Sequence, residues 1–473
     1  ETTRNLWLGA RDQFFPWLIV AAAAPRCLIS AHEFGWDAEA DEAWHRMQTV
    51  YDLYGASDRL GWMKGAGRCA PGEGNTHCTN VGPIHREKLY PYLERWFGME
   101  PPLPEVQDRR EPDELACLDD AAQARRRPLR EMAREKAEAL GARLREQLDG
   151  RPPEQKRELL RRKWADLLGD VEPREPASGD VRDETNLDGA AARSLLLEVE
   201  PGITVPMRLF LPVGEAPTPV VVAIAHEGKA GFLEGRPGEI AGLLARGIAV
   251  CLADVRGTGE TRADDMHGLE SEFIDLSEQE RMLGRNVLGL QVRDLLAVVR
   301  YLRTLPEIDG SRVGLWGDSF APVNPPDFEP IEHDPSRVDH SNWPNQPHGP
   351  AIGEPVGQLL ALFGALFDDG VGAVLGRRGL TGFASLFDRY YLYVPSDVVV
   401  PGALAAGDLA DVIGALAPAP VRLQALIDGC NRALDQAAMD AALRGAAERH
   451  EGLGLVADET ASAADWFADA LGG

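Results

Sequence analysis

Hydrophobic positions follow two periods along the chain, and their alternation predicts how the chain is organised. In residues 190–473, short and nearly continuous apolar runs, typical of strands covered on both faces, alternate with segments of helical spacing. This alternation predicts a mostly parallel sheet with helices on both sides. The predicted strands lie at 219–225, 248–254, 312–316, 371–375, 421–427 and 453–457, after a hairpin over 194–211, and helices are predicted at 240–246, at 283–305 and around Trp466.

Residues 1–100 show a shorter form of the same alternation. Helical spacing, strand-like apolar runs and a Gly-rich loop follow one another there, and they indicate a smaller α/β segment. The predicted elements are a helix at 16–24, a strand at 25–31, a helix at 41–54, a strand at 59–64 and a helix at 85–97.

Residues 101–189 have a different character. A Pro-rich breaker at 101–104 is followed by a segment that is dense in Arg, Glu, Ala and Leu. Residues 128–168 predict two charged helices, which the Gly-Arg-Pro-Pro sequence at 150–153 separates. We interpret 101–189 as a charged helical connector between the two α/β segments.

Two stretches of the sequence resemble each other. Ala24–Pro25 follows a predicted helix and leads into a strand, as Ala417–Pro418 does, and each stretch closes with adjacent Trp and Phe residues on a helix. The repeat predicts two α/β units of one type. Residues 1–100 would be the C-terminal part of a first unit that is incomplete at its N-terminus, and residues 190–473 a second unit with a nearly complete, mostly parallel sheet. We therefore expect a C-terminal fragment, a processed product or the product of an incomplete gene model.

Composition excludes several classes of function. The net charge of -26 and the pI near 4.8 argue against a nucleic-acid partner, because phosphate backbones are bound by clustered Lys and Arg. No membrane span is predicted, since the chain has no run of about 18 apolar residues. The cysteines form no CxxC pair, residues 254–261 lack GxGxxG, and no HExxH occurs. We therefore predict no cofactor and no metal.

Ser319 is the candidate nucleophile. It stands in Leu-Trp-Gly-Asp-Ser-Phe-Ala-Pro, directly after a predicted strand. A strand followed by Gly-x-Ser is typical of a nucleophile elbow, the sharp turn that exposes a hydroxyl at the end of a sheet. Ala321 replaces the second Gly of the full pattern, and Pro322 stands where a helix should begin. The alternative interpretation is a serine that ends a strand in an ordinary tight turn.

A nucleophilic serine needs a base that is held by an acid. Asp428, at the end of a late predicted strand, is the candidate acid. No His follows the final strand, and His450 precedes it, which predicts a position at the wrong end of the sheet. Three histidines of a long polar insertion stay open as alternatives, namely His333, His340 and His348. The second unit therefore has a nucleophile and an acid without an evident base.

The loop after the predicted strand at 219–225 reads His-Glu-Gly-Lys-Ala-Gly. In an acyl-transfer site such a loop lends a backbone N–H to an oxyanion hole, together with the N–H that follows the nucleophile. We predict Gly228 and Phe320 as the two backbone donors.

The first unit offers the complementary set of residues. Glu33 and Asp37 follow its first predicted strand, whereas His77 and His85 lie in and after the Gly-rich loop before its last helix. A His in such a loop is a candidate general base, and an acid would fix its tautomer. The residues alone leave open the choice between the two acids and between the two histidines.

Several motifs carry a resemblance to a known family. Asp-Val-Arg-Gly-Thr-Gly-Glu at 254–260, Trp-Gly-Asp-Ser-Phe at 316–320 and Asp-Gly at 428–429 resemble α/β-hydrolases of the acetyl xylan esterase and dienelactone hydrolase type. His-Glu-Phe-Gly-Trp at 32–36 and Thr-His-Cys at 76–78 resemble large bacterial acetyl xylan esterases with two tandem hydrolase units. The His-Cys pair is also similar to the surroundings of the catalytic His of glucuronoyl esterases.

The resemblance implies roles for five residues. His77 would be the base and Glu33 the acid of the first unit, with Asp37 in reserve, whereas Ser319 and Asp428 would be nucleophile and acid of the second. The implied activity is the hydrolysis of carboxylic esters on acylated polysaccharide, without a cofactor, in a secreted or periplasmic protein.

Each unit lacks one member of a Ser-His-acid triad, and this leaves alternatives. The chain could be a non-catalytic α/β-hydrolase-fold module that supports a catalytic unit. It could self-associate or pair with a missing N-terminal segment. A further alternative brings Ser319 and His77 together across the two units.

Overall fold

The apolar runs of residues 190–473 pair into one sheet, and those of the opening stretch pair into another. The two sheets belong to two units, a larger one within residues 127–473 and a smaller one within residues 6–126. The computed structural model describes residues 15–68, 75, 83–100, 110–119, 121–122, 125–173, 178–214, 217–263, 272–329, 350–389 and 392–472.

The smaller unit pairs two parallel strands. Its elements are α1 (Pro16–Ala21), β1 (Leu28–His32), α2 (Glu42–Leu53), β2 (Leu60–Lys64) and α3 (Pro83–Phe97). Helix α2 begins after Asp41, whose carboxylate accepts hydrogen bonds from the N–H groups of Ala43 and Trp44 and thereby caps the helix. Trp44 and Met47 of α2 pack with Ala21 in a small core. All five elements agree with the predicted ones.

The larger unit is built on a mixed sheet. Its strands are β3 (Ser178–Leu187), β4 (Ala190–Glu200), β5 (Ile203–Pro212), β6 (Thr218–Ile224), β7 (Ala249–Ala253), β8 (Ile308–Gly317), β9 (Val371–Arg377), β10 (Val421–Gln424) and β11 (Leu453–Val456). Their order is β11-β10-β9-β8-β6-β7-β5-β4-β3. Strands β6 to β11 pair in parallel, whereas β3, β4 and β5 pair antiparallel, and β5 joins β7 antiparallel. The predicted α/β class with a mostly parallel sheet is confirmed.

Helices cover both faces of this sheet. They are α4 (Leu129–Leu148), α5 (Pro153–Leu168), α6 (Gly228–Gly235), α7 (Pro237–Ala245), α8 (Glu272–Met282), α9 (Val287–Leu302), α10 (Val356–Phe367), α11 (Ala403–Ala406), α12 (Leu409–Ala415), α13 (Gln436–Ala442), α14 (Arg444–Ala447) and α15 (Ala463–Leu471). Val220 and Val222 of β6 join the core under α9 and α10, whereas Val221 and Ala223 join the core under α7 and α15. Burial of both faces explains why β6 is apolar throughout.

The segment interpreted as a connector differs from that prediction in its second half, because residues 127–189 pack with the larger unit. Trp164 of α5 is fully buried, and its ring centroid lies 4.4 Å from that of Phe363 in α10. Leu160 and Leu168 of α5 are buried in the same core. Strand β3 pairs with β4 at the edge of the sheet. The apolar stripe of α5 therefore packs on helices of the larger unit, and the unit begins before residue 190.

Several elements of the larger unit were not predicted, among them β3, α8 and the short helices α11 to α14. Helix α6 occupies the sequence that was interpreted as a loop, and the predicted helix at 283–305 corresponds to α9, which begins after the N-cap Asn286. Helix α10 lies between β8 and β9, and its chain positions follow the long polar insertion. The hairpin β4–β5 and the strands β6 to β11 lie where they were predicted.

The two resembling stretches share a strand register. Leu28 lies opposite Leu60 in β1 and β2, and Val421 lies opposite Leu453 in β10 and β11. The same sequence separation therefore joins the partners in both parallel pairs, and a helix follows each pair. The organisation into two units of one type stays a prediction.

Among the described helices, no single one is long and apolar enough to cross a membrane. The bent pair of segments Ser396–Ala406 and Leu409–Ala415, which meet at 68°, satisfies the length and composition criteria only when taken together.

Candidate active site

The candidate site lies at the topological switch point of the sheet, where the connections from two neighbouring strands leave in opposite directions. From the neighbours β6 and β8, the chain continues to β7 on one side and to β9 on the other. The loops that leave the carboxyl ends of β6 and β8 therefore diverge, and this switch point is where α/β sheets bind ligands. The N-terminus of α10 sits over it: a Cβ on Gly357 would lie 2.6 Å from the carbonyl oxygen of Ile224. Only a glycine permits this approach.

Ser319 lies at this switch point, directly after β8. The residue is 2% exposed, and its backbone N–H donates to Asp318 Oδ1 at 2.9 Å. No described residue forms a hydrogen bond with its hydroxyl. The predicted position of Ser319 at the end of a central strand agrees with the structure.

The predicted elbow is not formed in its usual shape. Among described residues other than Gly, a positive φ occurs at Arg378, Ala425 and Asn431, and Ser319 is not among them. No helix follows Ser319 directly. Instead the side chain of Asn324 donates to the carbonyl of Ala351 at 2.9 Å, which ties the outgoing chain to the segment before α10. The prolines after Ser319 explain why a helix cannot begin there.

Both predicted oxyanion donors have partners. The Gly228 N–H donates to the carbonyl oxygen of Ala225 at 3.1 Å. The Phe320 N–H donates to the carboxyl group of Glu227. Glu227 thus holds its carboxyl where a reacting oxyanion would receive a hydrogen bond from Phe320. The Gly228 N–H closes a backbone turn in the structure, and its role as an oxyanion donor stays a prediction.

Asp428, the predicted acid, is held by neighbours in sequence. Its carboxylate accepts hydrogen bonds from Cys430 N at 2.9 Å and from Arg432 N at 2.9 Å. The Arg432 guanidinium adds two more bonds, at 2.9 and 2.7 Å. This carboxylate therefore stabilises the turn after β10, and no described imidazole contacts it.

His450 lies at the amino end of the sheet, as predicted. Its Nδ1 accepts a hydrogen bond from the Gly452 N–H at 3.1 Å, and the Gly452 carbonyl in turn accepts from Val421 N at the start of β10. His450 is therefore remote from the carboxyl ends of the strands. The open alternatives at residues 333, 340 and 348 fall outside the described residues.

An ion-paired cluster lies beside Ser319. We use this name for Asp318, Arg236, Arg377, Glu239 and Glu459. Asp318 and Arg377 are both completely buried, with 3.3 Å between Arg377 Nη1 and Asp318 Oδ2. Arg236 approaches the same carboxylate at 3.0 Å, and Arg377 reaches Glu239 at 2.9 Å. Burial raises the pKa of Asp318, and the charges of Arg377 and Arg236 oppose this rise.

A second group of acids at the switch point forms no ion pair with an Arg or Lys among the described residues. We call Glu227, Glu354 and Asp397 the acid cluster. Glu354 immediately precedes α10 and is 3% exposed. Its Oε2 lies 3.6 Å from Nδ1 of His226, which follows β6. In the part of the chain that the structure describes, Asp397 Oδ1 and Glu227 Oε2 are buried without a hydrogen bond.

Burial raises the pKa of all three carboxyl groups in the acid cluster. The pKa of Glu354 lies well above its ordinary value because of burial first, with the charges of Asp397 and Glu227 acting in the same direction. Burial raises the pKa of Asp397 to about 6. Burial also raises the pKa of Glu227, although the hydrogen bond from Phe320 opposes it. Groups that are buried and shifted together are typical of functional sites.

Sequence reasoning missed His226 and Glu354 as a pair. His226 was interpreted only as part of a loop, and Glu354 was not considered. One signal was present: Glu354 is the last charged residue before the apolar helix at 356–367. An acid at the N-terminal end of a buried helix needs an explanation.

In the smaller unit the structure describes part of the predicted set. Glu33 follows β1 and is half-buried, whereas Asp37 is exposed and accepts from Glu39 N at 3.0 Å. His85 is buried in α3, and its Nε2 donates to the carbonyl oxygen of His32 at 2.8 Å, which ties α3 to β1. His77 lies outside the described residues.

The described residues include no group of three or more His, Cys, Asp or Glu side chains that could hold a metal ion.

Comparisons with known proteins add esterases to this description. No protein-family model and no curated protein matches the chain. A protein assigned as an acetyl xylan esterase from Bacteroides fragilis NCTC 9343 is 14% identical, with 67% of this chain and 78% of that chain covered and a TM-score of 0.47. The methylesterase BT1017 is 16% identical, with 71% of this chain and 68% of that chain covered and a TM-score of 0.45. A glucuronoyl esterase from Solibacter usitatus is 13% identical, with 67% of this chain and 92% of that chain covered and a TM-score of 0.41. Identities and TM-scores this low establish neither a family nor a shared activity.

Proposed function

We propose that the chain is a carboxylic-ester hydrolase of the carbohydrate esterase type, with Ser319 as its nucleophile. The observation that carries the proposal is the Ser319 hydroxyl at the switch point, which has no hydrogen bond to a described residue. A serine hydroxyl can bond to nearby backbone groups, and that of Ser319 forms no such bond with a described residue. A hydroxyl without such a bond at the carboxyl end of a central strand is placed for reaction.

In the proposed reaction the Ser319 oxygen attacks the carbonyl carbon of an ester and loses its proton to a base. The oxyanion that forms takes the Phe320 N–H in place of the Glu227 carboxyl. The ester C–O bond then breaks, and the base returns the proton to the leaving alcohol oxygen. Water attacks the acyl-Ser319 ester in the same way, so that one ester and one water yield one carboxylic acid and one alcohol.

The substrate class follows from the sequence motifs. The sequences around Asp254, Ser319 and Asp428 resemble those of acetyl xylan esterases, and we therefore propose acylated polysaccharide as the substrate. Glu33 and His77 of the smaller unit stay proposed as an acid–base pair on the same resemblance.

The test compares two buried serines. The full chain is incubated with p-nitrophenyl acetate and with acetylated xylan, and separately with a fluorophosphonate probe followed by peptide mass spectrometry. Ser319→Ala is expected to lower ester hydrolysis at least about 1000-fold and to abolish labelling. Ser277→Ala is the matched control, because Ser277 is 1% exposed and its hydroxyl also has no hydrogen-bond partner. Hydrolysis that survives in Ser319→Ala would contradict the proposal.

One observation favours a second candidate, a non-catalytic hydrolase-fold module that supports another unit. The Phe320 N–H is engaged by Glu227, and Asp428 is engaged by Arg432. In such a module the chain would neither hydrolyse the acetate ester nor react with the probe. Glu227→Ala, which frees the Phe320 N–H, would leave it equally unreactive, whereas in an esterase this variant keeps Ser319 reactive.

A further inference from the structure

We infer that His226 is the catalytic base for Ser319 and that Glu354 positions its imidazole. The inference rests on the proposed function and supplies the base that the sequence of the larger unit did not reveal.

The pairing of β6 with β8 sets His226 beside Ser319. Ile224 lies opposite Gly317 in the parallel register, and the Asp318 N–H donates to the Ile224 carbonyl at 3.0 Å. Two residues beyond this pair stand His226 on one strand and Ser319 on the other. Neighbouring strands lie about 4.8 Å apart, so the segments that carry His226 and Ser319 leave the sheet from adjacent strand ends.

The two segments that follow β6 and β8 stay in contact beyond the strands. The next residues along each chain are Glu227 and Phe320, and they are joined by the hydrogen bond from the Phe320 N–H to the Glu227 carboxyl. The His226 carbonyl is fixed from its other side by the Gly259 N–H at 2.9 Å. His226 is thus held between the loop after β7 and the chain that carries Ser319.

Glu354 is placed to orient this imidazole. Its Oε2 faces Nδ1 of His226 at 3.6 Å, which leaves Nε2 as the nitrogen that takes the serine proton. The hydrogen bonds of catalytic groups are often long before substrate binds. Glu354 precedes the point where α10 approaches β6 and β8 so closely that a Cβ on Gly357 would lie 2.6 Å from the Ile224 carbonyl oxygen and closer still to that of Asp318. The N-terminal end of α10 also stabilises a carboxylate.

These residues together can transfer the proton that the reaction requires. His226 Nε2 accepts the proton from the Ser319 hydroxyl as the bond from its oxygen to the acyl carbon forms, and Glu354 accepts the hydrogen bond from Nδ1–H of the resulting imidazolium. The same Nε2 delivers the proton to the leaving alkoxide when the ester C–O bond breaks. His226 repeats both transfers when water releases the acyl group.

The groups around the pair predict how its reactivity depends on pH. Glu227 faces it from the loop after β6, Asp397 from the 3₁₀ turn at Ser396–Val398, and Arg262 from the chain after β7. Asp318, beside Ser319, is engaged by Arg236 and Arg377. Burial raises the pKa of Glu354. The carboxyl group and the imidazole must both have lost their protons before the pair can act as a base, so labelling is expected to rise with pH.

The test is the rate at which a fluorophosphonate labels Ser319 in the full chain, measured from acidic to alkaline pH. His226→Gln is expected to lower this rate about 100-fold or more. Glu354→Gln is expected to lower it at least about 10-fold at alkaline pH and to shift the pH at which labelling rises. The rise itself remains because the imidazole still has to lose its proton, and a merely structural role of Glu354 would leave its position unchanged. His450→Gln, a buried histidine at the amino end of the sheet, is the matched control.

The outcomes separate the two claims. If Ser319 of the unaltered chain is not labelled, the proposed function is wrong and the inference falls with it. If Ser319 is labelled but His226→Gln reacts at the original rate, the inference alone is wrong. Should His226→Gln fail to fold by near-ultraviolet circular dichroism, Glu354→Gln decides: an unchanged pH profile overturns the inference, and a slower reaction with a shifted profile supports it.

Discussion

Two groups of acids at the carboxyl edge of one sheet are stabilised in opposite ways. In the ion-paired cluster, Asp318 is completely buried but lies against two guanidinium groups, those of Arg236 and Arg377. In the acid cluster, Glu354 is equally buried but faces one imidazole at 3.6 Å. Asp397 in the same cluster has a carboxyl oxygen without any hydrogen bond from the described residues.

The difference separates structure from chemistry. A buried charge with matched partners holds elements together, because removing one partner leaves an uncompensated charge. A buried carboxyl without a matched cation instead gains and loses protons near neutral pH. The same edge of the sheet therefore carries the ion-paired cluster, a rigid frame beside Ser319, and the acid cluster, whose carboxyl groups can gain and lose protons.

The largest effect is expected from breaking the frame. Arg377→Met removes one of the two guanidinium groups that face Asp318 and the guanidinium group that faces Glu239, and it should lower the free energy of unfolding of the larger unit by about 3–5 kcal/mol. Urea unfolding, followed by circular dichroism, measures this change.

Arg246→Met is the control for that experiment. Arg246 pairs with Asp465, but the two side chains are 41% and 64% exposed, so the loss should stay below about 1 kcal/mol. Equal losses in the two variants would mean that the buried network does not stabilise the frame.

A smaller effect is expected from the acid cluster, and it depends on pH. The folded pKa of Asp397, at about 6, lies above its ordinary value of 3.8. The folded state therefore keeps a proton that the unfolded state releases, and stability is lost as the pH rises from roughly 4 to 6. Asp397→Asn abolishes this loss, so the variant should gain up to about 3 kcal/mol on the unaltered chain across that window. Urea midpoints over a pH series measure the difference.

Asp309→Asn provides a control of opposite sign. Hydrogen bonds from Ser311 and Arg312 lower the pKa of Asp309 to about 2. Its contribution is present above its ordinary pKa and is lost only as the pH falls toward about 2. A difference between Asp397→Asn and the unaltered chain that does not change from pH 4 to 6 would show that Asp397 is not a buried, proton-binding group.

The sequence predicted the frame of the fold better than the site. Strands such as β6 and β7 were predictable, because burial on both faces requires unbroken apolar runs. The Arg432 that engages Asp428 was also readable, since it stands four residues later. The role of Glu354 was not, because it depends on α10 meeting the ends of β6 and β8 after a long insertion. The partner of the Phe320 N–H depends in the same way on the contact between two loops.

The smallest effect distinguishes Asp428 from Glu354. Asp428→Asn keeps an oxygen for the N–H groups of Cys430 and Arg432 but loses the charge opposite the Arg432 guanidinium. We expect a loss of about 1–2 kcal/mol in the free energy of unfolding. Fluorophosphonate labelling of Ser319 should change less than about 2-fold, because no proton passes through a carboxylate that four donors already hold.

The same measurement tests the role that the sequence resemblance implied for Asp428. An acid that positions a catalytic imidazole typically costs about 100-fold or more in rate when it is neutralised. If Asp428→Asn lowers labelling by that factor while Glu354→Gln does not, the ion-paired turn after β10 must open during the reaction, and the division between frame and proton exchange would be reversed. If only Glu354→Gln lowers the labelling rate, Glu354 is the acid that positions the base for Ser319.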